Sequence, residues 1–111
     1  MKFSQYQKLS KRTMPDIYDP LNRINAAMGL SGEAGETCEV IKKEFFHGHQ
    51  TDVTKLIKEA GDVLWYLAFL AETYGFTLEE VATMNIEKLR KRFPEGFSTE
   101  ASIERVDVEN D

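Results

Sequence analysis

Apolar residues recur at intervals of three and four along most of this chain, and this spacing constrains its fold more than any other feature. The helical period is present in four segments, at about residues 3–9, 21–47, 53–74 and 77–93. No segment alternates apolar and polar residues between turn signals, as a half-buried strand does. The sequence therefore predicts an all-α fold, a bundle of four helices joined by short connections.

Short motifs mark where these helices start and stop. Thr51 or Asp52 is the expected N-cap of the third helix, and Gly75 its left-handed C-cap. Thr77 opens a capping box at the start of the fourth helix, and Pro94 ends that helix. The helix boundaries can thus be predicted from capping chemistry as well as from periodicity.

Length and composition limit the class of protein. A chain of 111 residues suits one domain, and we expect a single helical domain over residues 1–97 and a polar, acidic tail over residues 98–111. The net charge of −5 argues against nucleic-acid and anionic-membrane partners. The single cysteine, Cys38, cannot form an internal disulfide, which favours a reducing compartment. The longest apolar run, residues 63–71, is too short to span a bilayer, so a cytoplasmic protein is expected.

The apolar residues exceed what a small monomer can bury. The second helix carries one apolar stripe, made of Ala27, Leu30, Ala34, Cys38, Ile41 and Phe45. The third helix has a main apolar face made of Val53, Leu56, Ala60, Leu64, Leu67, Ala71 and Tyr74. Trp65 and Phe69 lie on its far side, so its second half is apolar nearly all round and is expected to be buried on every side. This predicts that oligomerisation completes the core, in a homodimer or homotetramer.

Two acidic pairs stand out, because Glu33-Ala-Gly-Glu36 recurs almost unchanged as Glu59-Ala-Gly-Asp62. Residues three apart share a helix face, so each copy presents two carboxylates side by side. The interleaved Ala and Gly remove bulk, and we expect them to let the two helices approach closely. Four carboxylates brought together repel one another unless a hard cation lies among them, which points to a Mg²⁺ site.

The spacing of these pairs is weak evidence by itself. Acidic residues are 19 of 111, and Asp16/Asp19, among other pairs, has the same spacing. Two solvated helix faces with ordinary charges are the alternative interpretation. The glycines favour the site, because each costs about 1 kcal/mol of helix stability relative to alanine and so needs a packing reason. From physical chemistry alone the two interpretations remain open.

The chain also resembles the MazG-like, all-α nucleoside triphosphate pyrophosphohydrolase family. The family signature, Glu-x-x-Glu followed by Glu-x-x-Asp, is matched by the two acidic pairs, which are 22 residues apart. Further matches are Gly-Leu-Ser-Gly before the first pair, Asp-Val-Leu-Trp-Tyr-Leu from the second pair onward, and Asn-x-x-Lys-Leu-x-x-Arg later, within residues 20–97. The resemblance implies hydrolysis between the α- and β-phosphates, with Mg²⁺ (or Mn²⁺ as a substitute) held by Glu33, Glu36, Glu59 and Asp62.

Four more residues are candidates for binding the substrate. Asn85, Lys88 and Arg92 share a face of the fourth helix and match the family's Asn-x-x-Lys-Leu-x-x-Arg motif, so they are expected to bind the triphosphate. Asn85 falls in an apolar stripe, where a polar group needs a partner. Tyr66, one turn after Asp62, could bind phosphate or sugar. The alternatives are solvated charges for Lys88 and Arg92, and a core tyrosine for Tyr66.

Three functions remain open from the sequence. The first is Mg²⁺-dependent hydrolysis of NTPs or dNTPs to a nucleoside monophosphate and pyrophosphate. The second is a phosphoribosyl-ATP pyrophosphohydrolase of the same fold. The third is a helical binding or assembly module that has kept the carboxylates without catalysis. No feature of the sequence identifies the base or the sugar.

Overall fold

The computed structural model of the protein describes residues 1–108, and these contain helices and connections without any strand. The all-α prediction is confirmed, with one more helix than expected. None of the helices in this part of the chain has both the length and the hydropathy needed to cross a bilayer. The elements, in chain order, are α1 (Phe3–Ser10), a 3₁₀ turn (Lys11–Thr13), α2 (Leu21–Phe46), α3 (Val53–Tyr74), α4 (Leu78–Arg92) and α5 (Thr99–Glu104).

The chain divides into two compact units, Met1–Leu78 and Glu79–Asp111. The first unit contains α1, the 3₁₀ turn, α2 and α3. The second contains nearly all of α4 together with α5. Helix α5 falls within the segment expected to be an acidic tail, residues 98–111, whose last three residues lie outside the described part of the chain.

The ends of α3 follow from the caps that the sequence contains. Asp52 is the N-cap, and its Oδ1 accepts a hydrogen bond of 3.1 Å from the Lys55 backbone N–H. Gly75 adopts φ 77°, and its N–H donates to the Ala71 carbonyl at 2.8 Å. A left-handed residue at this position carries no steric penalty only when it is glycine, so the helix ends there.

Helices α2 and α3 form an antiparallel hairpin joined by residues 47–52, and a single glycine sets their closest approach. A methyl group built on Gly29 would overlap Cε1, Cδ1 and Cζ of the Tyr66 ring. The ring therefore lies directly against the α2 backbone. Around this contact, Ala26 of α2 and Ala68 and Phe69 of α3 are fully buried.

Helix α1 is fastened to the far end of α3 by one buried side chain. The Gln7 amide nitrogen donates to Glu72 Oε1 at 3.2 Å and to the Phe76 carbonyl at 3.0 Å, and its oxygen accepts from the Leu78 N–H at 2.9 Å. All the hydrogen-bonding atoms of this amide are thus used in one place. The 3₁₀ turn is held to the same helix, because Trp65 Nε1 donates to Thr13 Oγ1 at 2.9 Å.

The apolar stripe predicted on α2 is not the side that faces α3. Phe45 is 73% exposed, and Ala27, Ala34, Cys38 and Ile41 are exposed as well. At 3.6 residues per turn this stripe lies roughly a quarter turn from the side that carries Ala26 and Glu33. Periodicity shows that a helix has an apolar face, but it does not show whether that face packs within the chain.

Helix α3 is covered unevenly. Val53, Ala60 and Tyr74 of its predicted main face are exposed, whereas Ala71 of that face and Phe69 on the supposed far side are fully buried. Because the hairpin is antiparallel, the exposed stripe of α2 lies on the same side of it as Val53 and Ala60 of α3, opposite the side of α3 on which Trp65 contacts the 3₁₀ turn. This side of the hairpin is therefore an uncovered apolar surface, and Met28 and Phe46 are exposed outside it.

Candidate metal centre

Three of the four predicted carboxylates meet across the α2–α3 hairpin. Glu33 projects from α2 and Glu59 and Asp62 from α3, and one carboxylate oxygen of each lies within 4.8 Å of the others. Glu59 and Asp62 are three residues apart and so share a face, which the antiparallel pairing sets opposite Glu33. Hard divalent cations take their ligands from oxygen donors grouped in this way. The donor set therefore fits Mg²⁺ or Mn²⁺ in its chemistry.

The three charges destabilise one another. Glu33 and Glu59 are half-buried, and Asp62 is exposed. Burial raises the pKa of Glu33, and the negative charges of Asp62, Glu59 and Glu36 raise it further. A bound cation would reverse this effect, because it would stabilise the ionised carboxylate that its neighbours oppose.

Glu36 occupies a different position from the other three acids. It is exposed and lies outside the group whose oxygens come within 4.8 Å of one another, although its charge still acts on Glu33. The fold thus gathers three of the predicted ligands tightly and leaves the fourth exposed outside that group.

The small residues between the acids do not bring α2 and α3 together, which corrects the sequence-based expectation. Ala34 and Ala60 are exposed, and a Cβ added to Gly35 or Gly61 would meet no atom within 4 Å. The close approach occurs at Gly29 instead, one turn before Glu33. The repeated Ala-Gly pair had pointed to the right helices but to the wrong contact.

The structure places Tyr66 in the helix contact. Its ring lies against Gly29 and meets Trp65 edge-on, with ring centroids 4.9 Å apart. These contacts agree with the core-tyrosine alternative, and they hold the residue on the α3 face that also carries Asp62. Binding of substrate by Tyr66 stays a prediction.

Tyr6 is a residue near the carboxylates that the motifs did not reveal. Burial raises the pKa of its hydroxyl, and the charge of Asp62 raises it further, so α1 carries this phenol close to the acidic group. The helical period at about residues 3–9 predicted a helix there. It contained no signal that α1 packs beside Asp62.

A polar cavity of about 330 Å³ lies at the end of the hairpin nearest its connection. Lys55 is four residues before Glu59, so it stands one helical turn from the acidic group. Lys43 reaches the same cavity from α2. Both lysines bring positive charge to this cavity, and the residues that complete the lining are Val40, His49, Gln50 and Asp52.

The predicted phosphate-binding residues of α4 belong to the second unit. Asn85 and Lys88 are exposed, so Asn85 can be solvated and, contrary to the prediction from the apolar stripe, requires no partner within the protein. Arg92 differs from both, because its guanidinium forms two hydrogen bonds with Asp107, Nε to Oδ1 and Nη2 to Oδ2. Arg92 and Asp107 are fifteen residues apart and lie outside any common helix, so no periodic pattern in the sequence indicated their pairing.

The chain is similar in sequence to one known domain family and to two known proteins described below. Residues 23–97 match the MazG nucleotide pyrophosphohydrolase domain. The chain is 34% identical over 84 residues to the uncharacterized protein YvdC of Bacillus subtilis (strain 168), which covers 68% of this chain and 77% of that protein. It is 38% identical over 73 residues to the Gene 37 protein of Mycobacterium phage L5, covering 62% of this chain and 64% of that one. No solved structure matches the chain significantly.

Proposed function

Because the chain belongs to the MazG nucleotide pyrophosphohydrolase family, we propose that it hydrolyses nucleoside triphosphates between the α- and β-phosphates. The products would be a nucleoside monophosphate and pyrophosphate. The observation that carries this proposal is the meeting of Glu33, Glu59 and Asp62, from two helices, with carboxylate oxygens within 4.8 Å of one another. A site of this kind can hold a divalent cation against a triphosphate.

In this proposal, Glu33, Glu59 and Asp62 hold Mg²⁺, and Mn²⁺ can replace it. When bound, the ion would supply charge neutralisation and polarisation at the phosphoryl group under attack. Glu36, exposed on α2 three residues after Glu33, is our candidate for the general base that accepts a proton from the attacking water. A carboxylate that is not fully engaged by a cation keeps the basicity that this role needs.

The negative charge of the outer phosphates requires cationic partners. Lys43 and Lys55 line the polar cavity at the connected end of the α2–α3 hairpin, and we propose that they bind the phosphates that leave as pyrophosphate. Asn85, Lys88 and Arg92 match the family's Asn-x-x-Lys-Leu-x-x-Arg motif and are proposed to bind phosphate as well. Tyr66, one turn beyond Asp62 on α3, is proposed to bind phosphate or sugar.

We further propose that the protein acts as a homodimer or a homotetramer. The support is the uncovered apolar side of the α2–α3 hairpin, which includes Phe45 at 73% and Ile57 at 66% exposure. Exposed apolar surface of this extent on paired helices is typical of a protein interface. A second copy of the hairpin would cover it with the same kind of surface.

The proposed reaction is tested by incubating the protein with a panel of ribo- and deoxyribonucleoside triphosphates, with and without Mg²⁺. Release of pyrophosphate that depends on Mg²⁺ is expected for at least one substrate. Release of orthophosphate would refute the proposed cleavage position. Turnover of phosphoribosyl-ATP alone would support the rival substrate of the same fold. If no triphosphate is turned over and calorimetry detects no Mg²⁺ binding, the non-catalytic binding or assembly module would be the supported function.

A further inference from the structure

The Arg92 guanidinium is already bound to an anion from its own chain. Its Nε donates to Asp107 Oδ1 at 2.5 Å and its Nη2 donates to Oδ2 at 2.8 Å. The two side chains are covered, with Arg92 17% and Asp107 only 2% exposed. This arrangement is a bidentate arginine–carboxylate pair, the strongest form of ion pair that side chains make.

The fold of the C-terminal segment, residues 98–108, places the Asp107 carboxylate against Arg92. Ser98 caps α5, because its Oγ accepts from the Ala101 N–H at 3.1 Å. Arg105 ends α5 in the left-handed conformation, with φ 50°, and the Val108 N–H closes the following turn onto the Arg105 carbonyl at 3.0 Å. That turn contains Asp107. A left-handed non-glycine residue is uncommon, so the reversal costs free energy that the Arg92 pair helps to offset.

A carboxylate and a phosphate group compete for the same edge of a guanidinium. Both present two oxygens at a spacing that fits the Nε and Nη2 donors, so one edge cannot serve both at once. The Arg92 hydrogen bonds, together with its nearby charge, lower the pKa of Asp107 to about 2, so the carboxylate is ionised at every physiological pH. Only another anion can take its place on that edge of Arg92.

We propose that the C-terminal segment is a clasp in which Asp107 occupies the phosphate-binding edge of Arg92 and is displaced when a polyphosphate binds. The inference rests on the proposed function only in assigning Arg92 to phosphate. The clasp would regulate binding at Arg92, because any polyphosphate that uses this edge must first displace the Asp107 carboxylate. The clasp lowers the affinity for polyphosphate and, when displaced, frees residues 98–108 from α4.

The first test compares binding of inorganic tripolyphosphate, in Mg²⁺, to the wild-type chain and to Asp107→Asn by calorimetry. The variant removes the competing charge, and we expect about three- to tenfold tighter binding, the size of effect that one ion pair can have. Glu104→Gln is the control, because it removes one negative charge from the exposed end of α5 and leaves the Arg92 pair intact. Weaker binding by Asp107→Asn would make Asp107 a residue that positions Arg92, and unchanged binding would remove Arg92 from the phosphate site. Either result overturns the clasp.

The second test uses the wild-type chain, so it does not depend on how a variant folds. Trypsin cleavage after Arg105 is followed with and without tripolyphosphate, with sodium chloride at equal ionic strength as the control. Displacement of Asp107 should expose this bond, and we expect cleavage to become about three- to tenfold faster. Unchanged or slower cleavage overturns the proposal. Neither test measures turnover, so loss of the proposed hydrolysis and loss of the clasp would be seen separately.

Discussion

Glu33 is the carboxylate whose ionised form is most clearly destabilised by its surroundings. Its pKa is raised by burial and by three neighbouring acids, so its ionised form is unfavourable while no cation is bound. Replacing Glu33 by Gln keeps the shape and removes the charge. We expect Glu33→Gln to raise the melting temperature of the metal-free protein and to remove most of the additional stability that Mg²⁺ confers, measured by thermal unfolding with and without the ion.

Glu87→Gln is the matched control for this experiment, because it removes the same charge from an exposed position on α4 outside the acidic group. The control should leave both the metal-free stability and the response to Mg²⁺ nearly unchanged. A fall in metal-free stability for Glu33→Gln would identify Glu33 as a structural hydrogen-bond acceptor, and it would count against the metal site.

The same shift predicts how stability depends on pH. The folded-state pKa of Glu33 lies above its ordinary value of 4.5, so the folded protein binds the proton more tightly than the unfolded chain does. This contribution to the free energy of unfolding is complete below pH 4.5 and is lost as the pH rises through the raised pKa. Denaturant titrations of the metal-free protein over this range should show the loss in the wild type, and Glu33→Gln should lack it.

At the level of elements, the close contact between α2 and α3 is possible because Gly29 has no side chain where the Tyr66 ring packs. Gly29→Ala places a methyl group in the Tyr66 ring, which must move together with the α3 backbone. We expect a net destabilisation of about 1–2 kcal/mol, because overpacking costs about 1–3 kcal/mol and the better helix propensity of alanine returns up to about 1 kcal/mol. The measurement is the free energy of unfolding in urea.

Gly35→Ala is the control, since it makes the same substitution in the same helix where no atom lies within 4 Å. It should stabilise the protein by about 1 kcal/mol through helix propensity alone. Equal effects of the two substitutions would contradict the close contact between Gly29 and Tyr66.

The polar cavity at the end of the hairpin gives a prediction about substrate binding. Lys55→Ala should raise the KM for a triphosphate about tenfold, because a cation facing phosphate contributes on the order of 1 kcal/mol or more. Lys58→Ala is the comparison, since Lys58 is exposed three residues later on α3 and does not line the cavity. Steady-state kinetics of pyrophosphate release measure both. An equal change in KM for the two variants would assign the effect to net charge.

The boundaries of α2, α3 and α4 could be predicted from the sequence because they depend on local chemistry. Asp52 and Gly75 act within one turn of themselves, and the helical period extends over whole elements. Helix α5 was missed because six residues are too few for a period to be recognised. The meeting of Glu33 with α3 followed from two motifs and a short connection. The Arg92–Asp107 ion pair depends on a reversal of the chain after α5, and no sequence motif indicates that reversal.

For the whole molecule, the sequence predicted an excess of apolar surface, although it did not show which residues would carry it. Most of the α2 stripe is exposed, whereas the predicted α3 face is divided, with Val53, Ala60 and Tyr74 exposed and Ala71 fully buried. Hydrophobic periodicity reports the total apolar area of a helix, whereas the partner that buries it depends on long-range geometry. The difference matters here, because an interior face and an interface have the same composition.

The last prediction concerns the assembly. If a second copy covers the hairpin, a charge placed on its apolar side must be buried or must break the contact. Ile57→Glu, at a residue 66% exposed in the single chain, should shift the protein toward the monomer in light scattering coupled to size exclusion, with retained helicity by circular dichroism. Leu9→Glu is the control, since Leu9 is 61% exposed on α1, away from this surface. A wild-type chain that is monomeric at micromolar concentration, or an equal shift for both variants, would exclude this surface as the interface.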